Sequence, residues 1–490
     1  MGFQTAFQPL NIFFCFFGVL IGTLVGVLPG LGPVAAISLL LPTTFHITPV
    51  SAIIMLGGIY YGAMYGGSTT SILVNIPGEA ASVVTCLDGY QMARQGRAGP
   101  ALGISAFGSF IAGTLSIFGL MFFAPPLARG ALRFGPPEYF SLMIMGLTVL
   151  TFLASGPMWK TLLMAAFGFF LSCMGTDNIS GTERFTFHIE ELSDGIGLVP
   201  AVMGLFGISE VLLNLEQSMA RSIFDVKIKN LLPTLQDWTA SFWPMIRGTV
   251  IGFFLGILPG GGAVISSFVS YAIEKKISKY PEKFGTGMIE GVAGPESANN
   301  SATGGAFIPL LSLGIPANPV MAILLGALII HGIQPGPMLF KEHPQIFWGT
   351  VASMYLGNVM LLVLNLPLIG IWVKILKIPY SVLFPLILLF CLIGAFSINN
   401  SLLDMLIMVI FGVIGYFFKK YDYEAAPLIL AYVLGPMMET SLRQSLLLSK
   451  GSFLIFFLRP ISMVLIGIAI LLLIFPMIPG LKHKRTRLAK

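Results

Sequence analysis

Apolar runs of membrane-spanning length recur from one end of the chain to the other: 11–28, 101–123, 138–155, 196–215, 242–258, 345–366, 380–398, 400–418 and 453–475. A helix needs about 20 apolar residues to cross a hydrocarbon core of about 30 Å, so these runs restrict the fold before any motif is considered. Only 10% of the 490 residues are charged, against about 25% in a soluble domain. That is too little charge to wet a soluble surface, which excludes most water-soluble enzymes and any disordered protein. The expectation is an all-α polytopic membrane protein with roughly 10–12 spans. The first twenty residues have neither a basic region nor a small-residue cleavage site, and are expected to enter a retained first helix.

The 56 Gly and 32 Pro fall inside this apolar background without a Gly-X-Y period. They border shorter apolar segments at 33–42, 51–65, 68–77, 263–273, 304–313 and 318–332. Segments of that length read as re-entrant or broken helices, whose freed backbone groups must face protein or a watery cavity. The net charge of +6 comes from basic residues in short loops and near the C-terminus, Lys482, Lys484, Arg485, Arg487 and Lys490 among them. This pattern reads as positive-inside topology and not as a nucleic-acid surface. Cys15, Cys86, Cys173 and Cys391 are scattered without a C-x-x-C spacing, so neither zinc nor a structural disulfide is expected. No P-loop, H-E-x-x-H or G-x-S-x-G occurs. No catalytic residue, metal or cofactor is expected.

The two halves resemble each other. GTLVGVLPGLGP at 22–33 matches GFFLGILPGGGA at 252–263, and NIPG at 75–78 matches GIPA at 314–317. Gly99-Pro100 matches Gly336-Pro337, and Glu210 matches Glu439. The chain divides into repeat one at 11–215, a linker or surface helix at 216–241, repeat two at 242–445, and an extra span with a basic cytoplasmic tail at 446–490. Charge sets their relative direction. The stretch after the first LPG has no Lys or Arg, whereas 269–283 carries Lys275, Lys276, Lys279 and Lys283; further on the bias reverses, with Arg94 and Arg97 in repeat one. Cationic loops stay cytoplasmic, so matching loops fall on opposite sides. Inverted repeats of this kind build two related gates around a midplane site.

Three constellations carry the chemistry. The LPG motifs at 28–30 and 258–260 combine proline, which lacks an N–H, with glycine, which tolerates left-handed dihedrals. They are expected to break a helix within the membrane and aim a restarting N-terminus at an anion. Ser68, Thr69, Thr70 and Ser71 form a hydroxyl run before Asn75. Glu296, Ser297, Asn299, Asn300, Ser301 and Thr303 offer amides, hydroxyls and one carboxylate. Such groups suit a substrate carboxylate or a coupling cation, Na+ or H+; Glu296, Asn300 and Thr303 are the candidates for the cation. Glu79, Asp88 and Glu439 are further ionisable groups in or beside apolar segments.

Two stretches carry a family resemblance: GTLVGVLPGLGPVAAISLLLP with YGGSTTSILVNIPGEAASVVTCLDG, and GILPGGGAVISSFVSYAIEKK with GVAGPESANNSATGGAFIPLLSLGIPANPVMAILLGALIIHGIQPGP. The chain resembles the large membrane subunit of the tripartite tricarboxylate transporter family across nearly its whole length. The resemblance implies a secondary carrier of the bacterial inner membrane that takes up carboxylates by symport. It implies two partners, a small membrane subunit of about four spans and a periplasmic solute-binding protein. The substrate-binding positions it carries over are Gly30, Gly32, Ser68 to Ser71, Asn75, Pro77 and Gly78. In the second half they are Gly260, Gly262, Ser297, Asn299, Asn300, Ser301, Gly305 and Pro316. The rival readings are a carrier of other solutes without a binding protein, and an ion-conducting channel.

Overall fold

The computed structural model describes residues 1–28, 32–153, 157–177, 179–216, 231–260, 262–375 and 380–474. The chain is helical almost throughout. The first half of the chain contributes α1 (Pro9–Val27), α2 (Gly32–Leu40), α3 (Pro49–Val74), α4 (Val83–Arg94), α5 (Ala98–Ala131), α6 (Pro136–Leu153), α7 (Met158–Ser172) and α8 (Leu198–Glu216). Then come α9 (Leu235–Ile257), α10 (Gly262–Ile277), α11 (Glu290–Leu313), α12 (Pro319–Ile330), α13 (Pro344–Asn365), α14 (Tyr380–Asn399), α15 (Leu402–Lys420), α16 (Ala425–Leu448) and α17 (Pro460–Ile474). Two short strands, β1 (Gly175–Thr176) and β2 (Glu183–Arg184), pair antiparallel in the segment after α7. Among the described residues, eight helices are long and apolar enough to cross a membrane, with shorter apolar ones beside them. The protein is therefore an all-α polytopic membrane protein.

Glycine spacing dictates the central packing. Gly18, Gly22 and Gly26 lay one face of α1 on the carbonyls of Met55, Ile59 and Ala63, and a methyl group at any of the three would strike that backbone. Gly248, Gly252 and Gly256 set α9 on the carbonyls of Gly294, Ala298 and Ala302 in the same way. Small residues four apart let helix backbones touch, which drives packing where lipid offers no hydrophobic gain. Both pairs run parallel. Between the pairs the sense reverses. Ser68 meets Glu296, whereas the Tyr60 ring, two turns earlier, lies 6.4 Å from that of Phe307 in a tilted arrangement. So α3 and α11 are antiparallel.

Two sequence expectations change. The segments 51–65 and 68–77 are not separate short pieces: α3 runs unbroken from Pro49 through the first and on to Val74 in the second. Gly66 and Gly67 do not break it, because their missing side chains admit the backbone of α1 and the Glu79 side chain. The segment 304–313 is likewise no separate piece: α11 runs unbroken from Glu290 to Leu313, and the polar stretch 294–303 lies in its buried first half. Of the expected linker, 217–230 lies outside the described residues, and α9 already begins at Leu235, capped by Thr234 and Asp237 in a reciprocal box. Residues 475–490 of the expected tail also lie outside them.

Candidate functional site

Each half folds back after its central helix. α3 ends on Asn75 and α11 on Gly314, both left-handed at φ 56° and 73°. The chain then climbs back through Pro77 or Pro316 to the starts of α4 and α12. The Glu79 carboxylate accepts from the Ala81 N–H at 2.6 Å, and the Asn318 side chain accepts from the Met321 N–H at 3.0 Å. Each capping residue is also gripped from the other half. Asn299 donates to Glu79 at 3.2 Å, and Asn318 donates to the Tyr60 hydroxyl at 2.9 Å. Tyr60 and Asn299 stand 239 positions apart, as do Glu79 and Asn318. The two contacts thus exchange under a single shift along the chain.

One turn below lies Glu296, 1% exposed. One oxygen accepts from Ser68 and the other from Thr85 at the start of α4. Glu79 is also buried. Among the described residues neither carboxylate has a Lys, Arg or His partner. A buried carboxylate without a counter-charge costs several kcal/mol, on the order of the penalty for any unpaired buried ion, unless it takes up a proton or a cation.

The other predicted residues divide. Thr69 is buried on α3, and Ser71 donates to Ser82 at 2.9 Å, tying the hydroxyl run to the α4 start. Asn300 donates to Ser109 at 2.7 Å, and Thr303 donates to the Asn299 carbonyl. Ser297 is buried, and its hydroxyl has no hydrogen-bond partner. Gly32 and Gly262 open α2 and α10 with φ 62° and 42°, a left-handed conformation that favours glycine, and open space lies beside each. Gly260 donates to the Ala317 carbonyl at 2.8 Å, joining the second LPG turn to the α11–α12 turn that holds Pro316. Gly30 lies outside the described residues.

Four residues face elsewhere. Thr70 bonds the Val27 carbonyl and Gly78 abuts the Gly26 backbone, so both serve the packing on α1. Ser301 bonds the Thr249 carbonyl and Gly305 lies against Phe253, so both serve the packing on α9. Helix geometry puts positions four apart on one face, which is why 301 and 305 turn away together while 296 and 300 turn inward.

Tyr60, Thr85, Ser109 and Asn318 join the site without having been singled out in the sequence. A signal existed for one of them. Matching NIPG to GIPA makes the next residues, Glu79 and Asn318, equivalent. Glu210 and Glu439 do not join it: Glu210 pairs with Lys419, and Glu439 pairs with Arg184 at 2.9 Å and Arg443 at 2.6 Å. Arg184 and Glu439 line a separate cavity of about 510 Å³ between α12, α16 and the segment after α7.

Fold and site together define a polytopic membrane protein with an ionisable polar centre built from two helix hairpins. A sequence profile of the Tripartite tricarboxylate transporter TctA family matches residues 12–430, and the chain belongs to that family. It is 50% identical, over 99% of its length and 97% of the relative's, to an Agrobacterium vitis protein described as an uncharacterized 52.8 kDa protein in the TAR-I ttuC' 3'region. It is also 50% identical over 236 residues to a second uncharacterized protein of that organism, from the TAR-II ttuC' 3'region, covering 48% of this chain and 98% of that one. No solved structure matches it significantly.

Proposed function

We propose that the chain takes up carboxylates, a tricarboxylate or related organic acid, by symport with Na+ or H+. It acts as the large membrane subunit of a binding-protein-dependent system in the bacterial inner membrane, beside a small subunit of about four spans. The observation that carries ion coupling is the pair of buried carboxylates Glu79 and Glu296, which have no Lys, Arg or His partner among the described residues. Protons or metal cations arriving with the substrate supply the missing charge. The substrate's own carboxylates are held by backbone N–H groups where helices restart, at Gly32 and Gly262 and at the starts of α4 and α12, with Ser, Thr and Asn side chains alongside. Glu296, Asn300 and Thr303 serve the coupling ion. The antiparallel crossing of α3 and α11 and the exchanged contacts of Tyr60 and Glu79 support the reading of two inverted repeats.

The test is uptake of labelled carboxylates by proteoliposomes holding both membrane subunits, with binding protein outside, under imposed Na+ or H+ gradients. Saturable uptake that follows one gradient is expected, and Glu296→Gln should remove the coupling while the protein still inserts. Carboxylate currents without saturation or coupling would instead indicate a channel. Uptake unchanged without the binding protein would remove that partner.

A further inference from the structure

Where α16 walls the 510 Å³ cavity, two arginines share two carboxylates. Arg184 holds Glu439 through both terminal nitrogens, at 2.9 and 3.2 Å, and Asp177 lies 3.7 Å from it. Arg443 holds Asp177 at 2.8 Å and Glu439 at 2.6 Å. The cavity reaches the surface at Asp194 and Ile329, both exposed. It faces outward. Phe45, just before α3, also lines it, and α3 runs opposite to α11, whose start follows Lys275 to Lys283 in the chain. Loops so rich in cations stay cytoplasmic, so Arg184 and Arg443 stand on the outer side.

The two carboxylates are not equivalent. Asp177 is built into its place: besides Arg443, the Ile179 N–H donates to it at 3.0 Å and the Ser180 hydroxyl at 2.6 Å. Among the described residues, Glu439 accepts from the two guanidinium groups and from nothing else. Its pair with Arg184 is partly exposed, 28% for the arginine side chain and 20% for the glutamate, and ion pairs open to solvent are individually weak. Arg184 also keeps a buried Nε–H without a partner. A planar guanidinium fork takes any carboxylate of matching geometry. Glu439 therefore fills a seat in which nothing but those two forks fixes it.

We propose that Arg184 and Arg443 form an outer recognition site for a small organic carboxylate, and that Glu439 occupies this site as a tethered substitute until the ligand displaces it. The exchange conserves charge at the forks, because one carboxylate enters as the other swings out to water. The cavity has the volume of ordinary ligand pockets, roughly 300–1,000 Å³. Ser193 and Thr440 add hydroxyl groups to its lining, while Asp177 and Asp194 oppose a second ligand carboxylate brought close. That the ligand is the transported acid rests on the carrier reading above; the site itself does not.

Chemical rescue tests this. Amide hydrogen exchange of residues 179–194 is followed in the purified full-length protein as potassium citrate is added, with KCl holding ionic strength constant. Glu439→Ala empties the seat, so exchange should start faster than in wild type, and citrate should slow it saturably. Wild type should respond with a half-saturating concentration about three- to tenfold higher, because its own carboxylate competes and two partly exposed pairs supply about that factor. Arg184→Gln also loosens the segment, but citrate should not restore it even at about ten times the wild-type concentration, since the fork is gone. Glu216→Ala is the control: it breaks the pair with Lys420 away from the cavity lining and should keep the wild-type half-saturation. Equal rescue of Arg184→Gln and Glu439→Ala, rescue of Glu439→Ala with no wild-type response, or an equal effect of potassium sulfate overturns the site. Citrate uptake by proteoliposomes without these responses leaves the carrier and removes the site. The responses without uptake leave the site and remove the carrier reading.

Discussion

Asn299 on α11 donates to the Glu79 carboxylate at 3.2 Å, across the boundary between the two halves of the chain. Its equivalent in the other half, Tyr60, accepts from Asn318 at 2.9 Å. The long central helix of each half thus holds the re-entering helix of the other.

If these paired contacts hold the two hairpins in place, removing either should be felt as stability and as transport. Asn299→Leu leaves the buried Glu79 carboxylate one donor short, a loss of about 1–3 kcal/mol. Tyr60→Phe removes only the acceptor oxygen and strands an amide hydrogen of Asn318, so a smaller cost, about 1 kcal/mol, is expected. Thermal unfolding of both variants, set beside their initial uptake rates, checks this. Wild-type stability and uptake in Asn299→Leu would remove the contact from any structural or functional role.

The glycine ladders make a sharper structural prediction. Gly22→Val and Gly252→Val place a branched side chain against the Ile59 and Ala298 carbonyls. Overpacking of this sort costs typically 1–3 kcal/mol and more where backbone is the obstacle. Both variants should give little monodisperse protein in size-exclusion chromatography. Gly130→Ala and Gly467→Ala, whose added methyl groups meet nothing within contact distance, should behave as wild type. Equal yields from all four would show that the ladders tolerate separation.

Much of this architecture was legible in the sequence, for identifiable reasons. The second LPG motif and the paired NIPG and GIPA motifs are built from residues with few backbone options, so these points announce themselves; the left-handed caps at Asn75 and Gly314 fall within them. The continuity of α3 through Gly66-Gly67 did not, because a glycine that ends a helix and one that admits a neighbouring helix are identical in sequence. The helical state of 294–303 was hidden for a related reason. α11 is buried on every side, so it shows no polar-to-apolar period for the eye to follow. The division of α11 into an inward face at Glu296 and Asn300 and a packing face at Ser301 and Gly305 needed the partner helices. So did the pairing of Glu79 with Asn299, which joins residues 220 positions apart.

The segment after α7 is fastened to α16 by charge. Arg184 bridges Glu439 at 2.9 Å, and Arg443 bridges Asp177 at 2.8 Å. Hydrogen bonds from Ser180 and the Ile179 N–H, with Arg443 beside them, hold the Asp177 carboxyl well below the ordinary aspartate range. A carboxyl depressed in this way stabilises the fold fully above its unfolded value of about 3.9, and loses that contribution only as pH falls through its lower folded value. Limited proteolysis of residues 179–194 should therefore be constant from neutral pH down to about 4, the ordinary aspartate range, and increase only below it. Arg443→Ala should loosen the segment at neutral pH, and high salt should do so partially, because these groups are partly exposed and screened. Cleavage that rises between pH 7 and 5 would point to a histidine and not to Asp177.

The last prediction concerns which ends of the helices share a side of the membrane. Gln95 donates to the Thr286 carbonyl at 2.7 Å, and Arg97 pairs with Asp237 at 2.5 Å. These contacts gather Arg94 and Arg97 with the basic stretch from Lys275 to Lys283. α11 starts at this end, and α3 runs antiparallel to it, so the start of α3 lies at the opposite end. Phe45, just before α3, lines the 510 Å³ cavity together with Arg184 and Asp194, which places the segment after α7 opposite the basic cluster. Positive charge remains cytoplasmic. Single cysteines at 94–97 and 275–279, introduced with Cys86 and Cys173 replaced, should react with a membrane-impermeant maleimide only in inverted vesicles. Cysteines at 187–191 should react in right-side-out cells. Labelling of 94–97 and 275–279 from different sides would break both the basic cluster and the inverted arrangement built on it, since a contact such as Gln95 with Thr286 cannot span a bilayer.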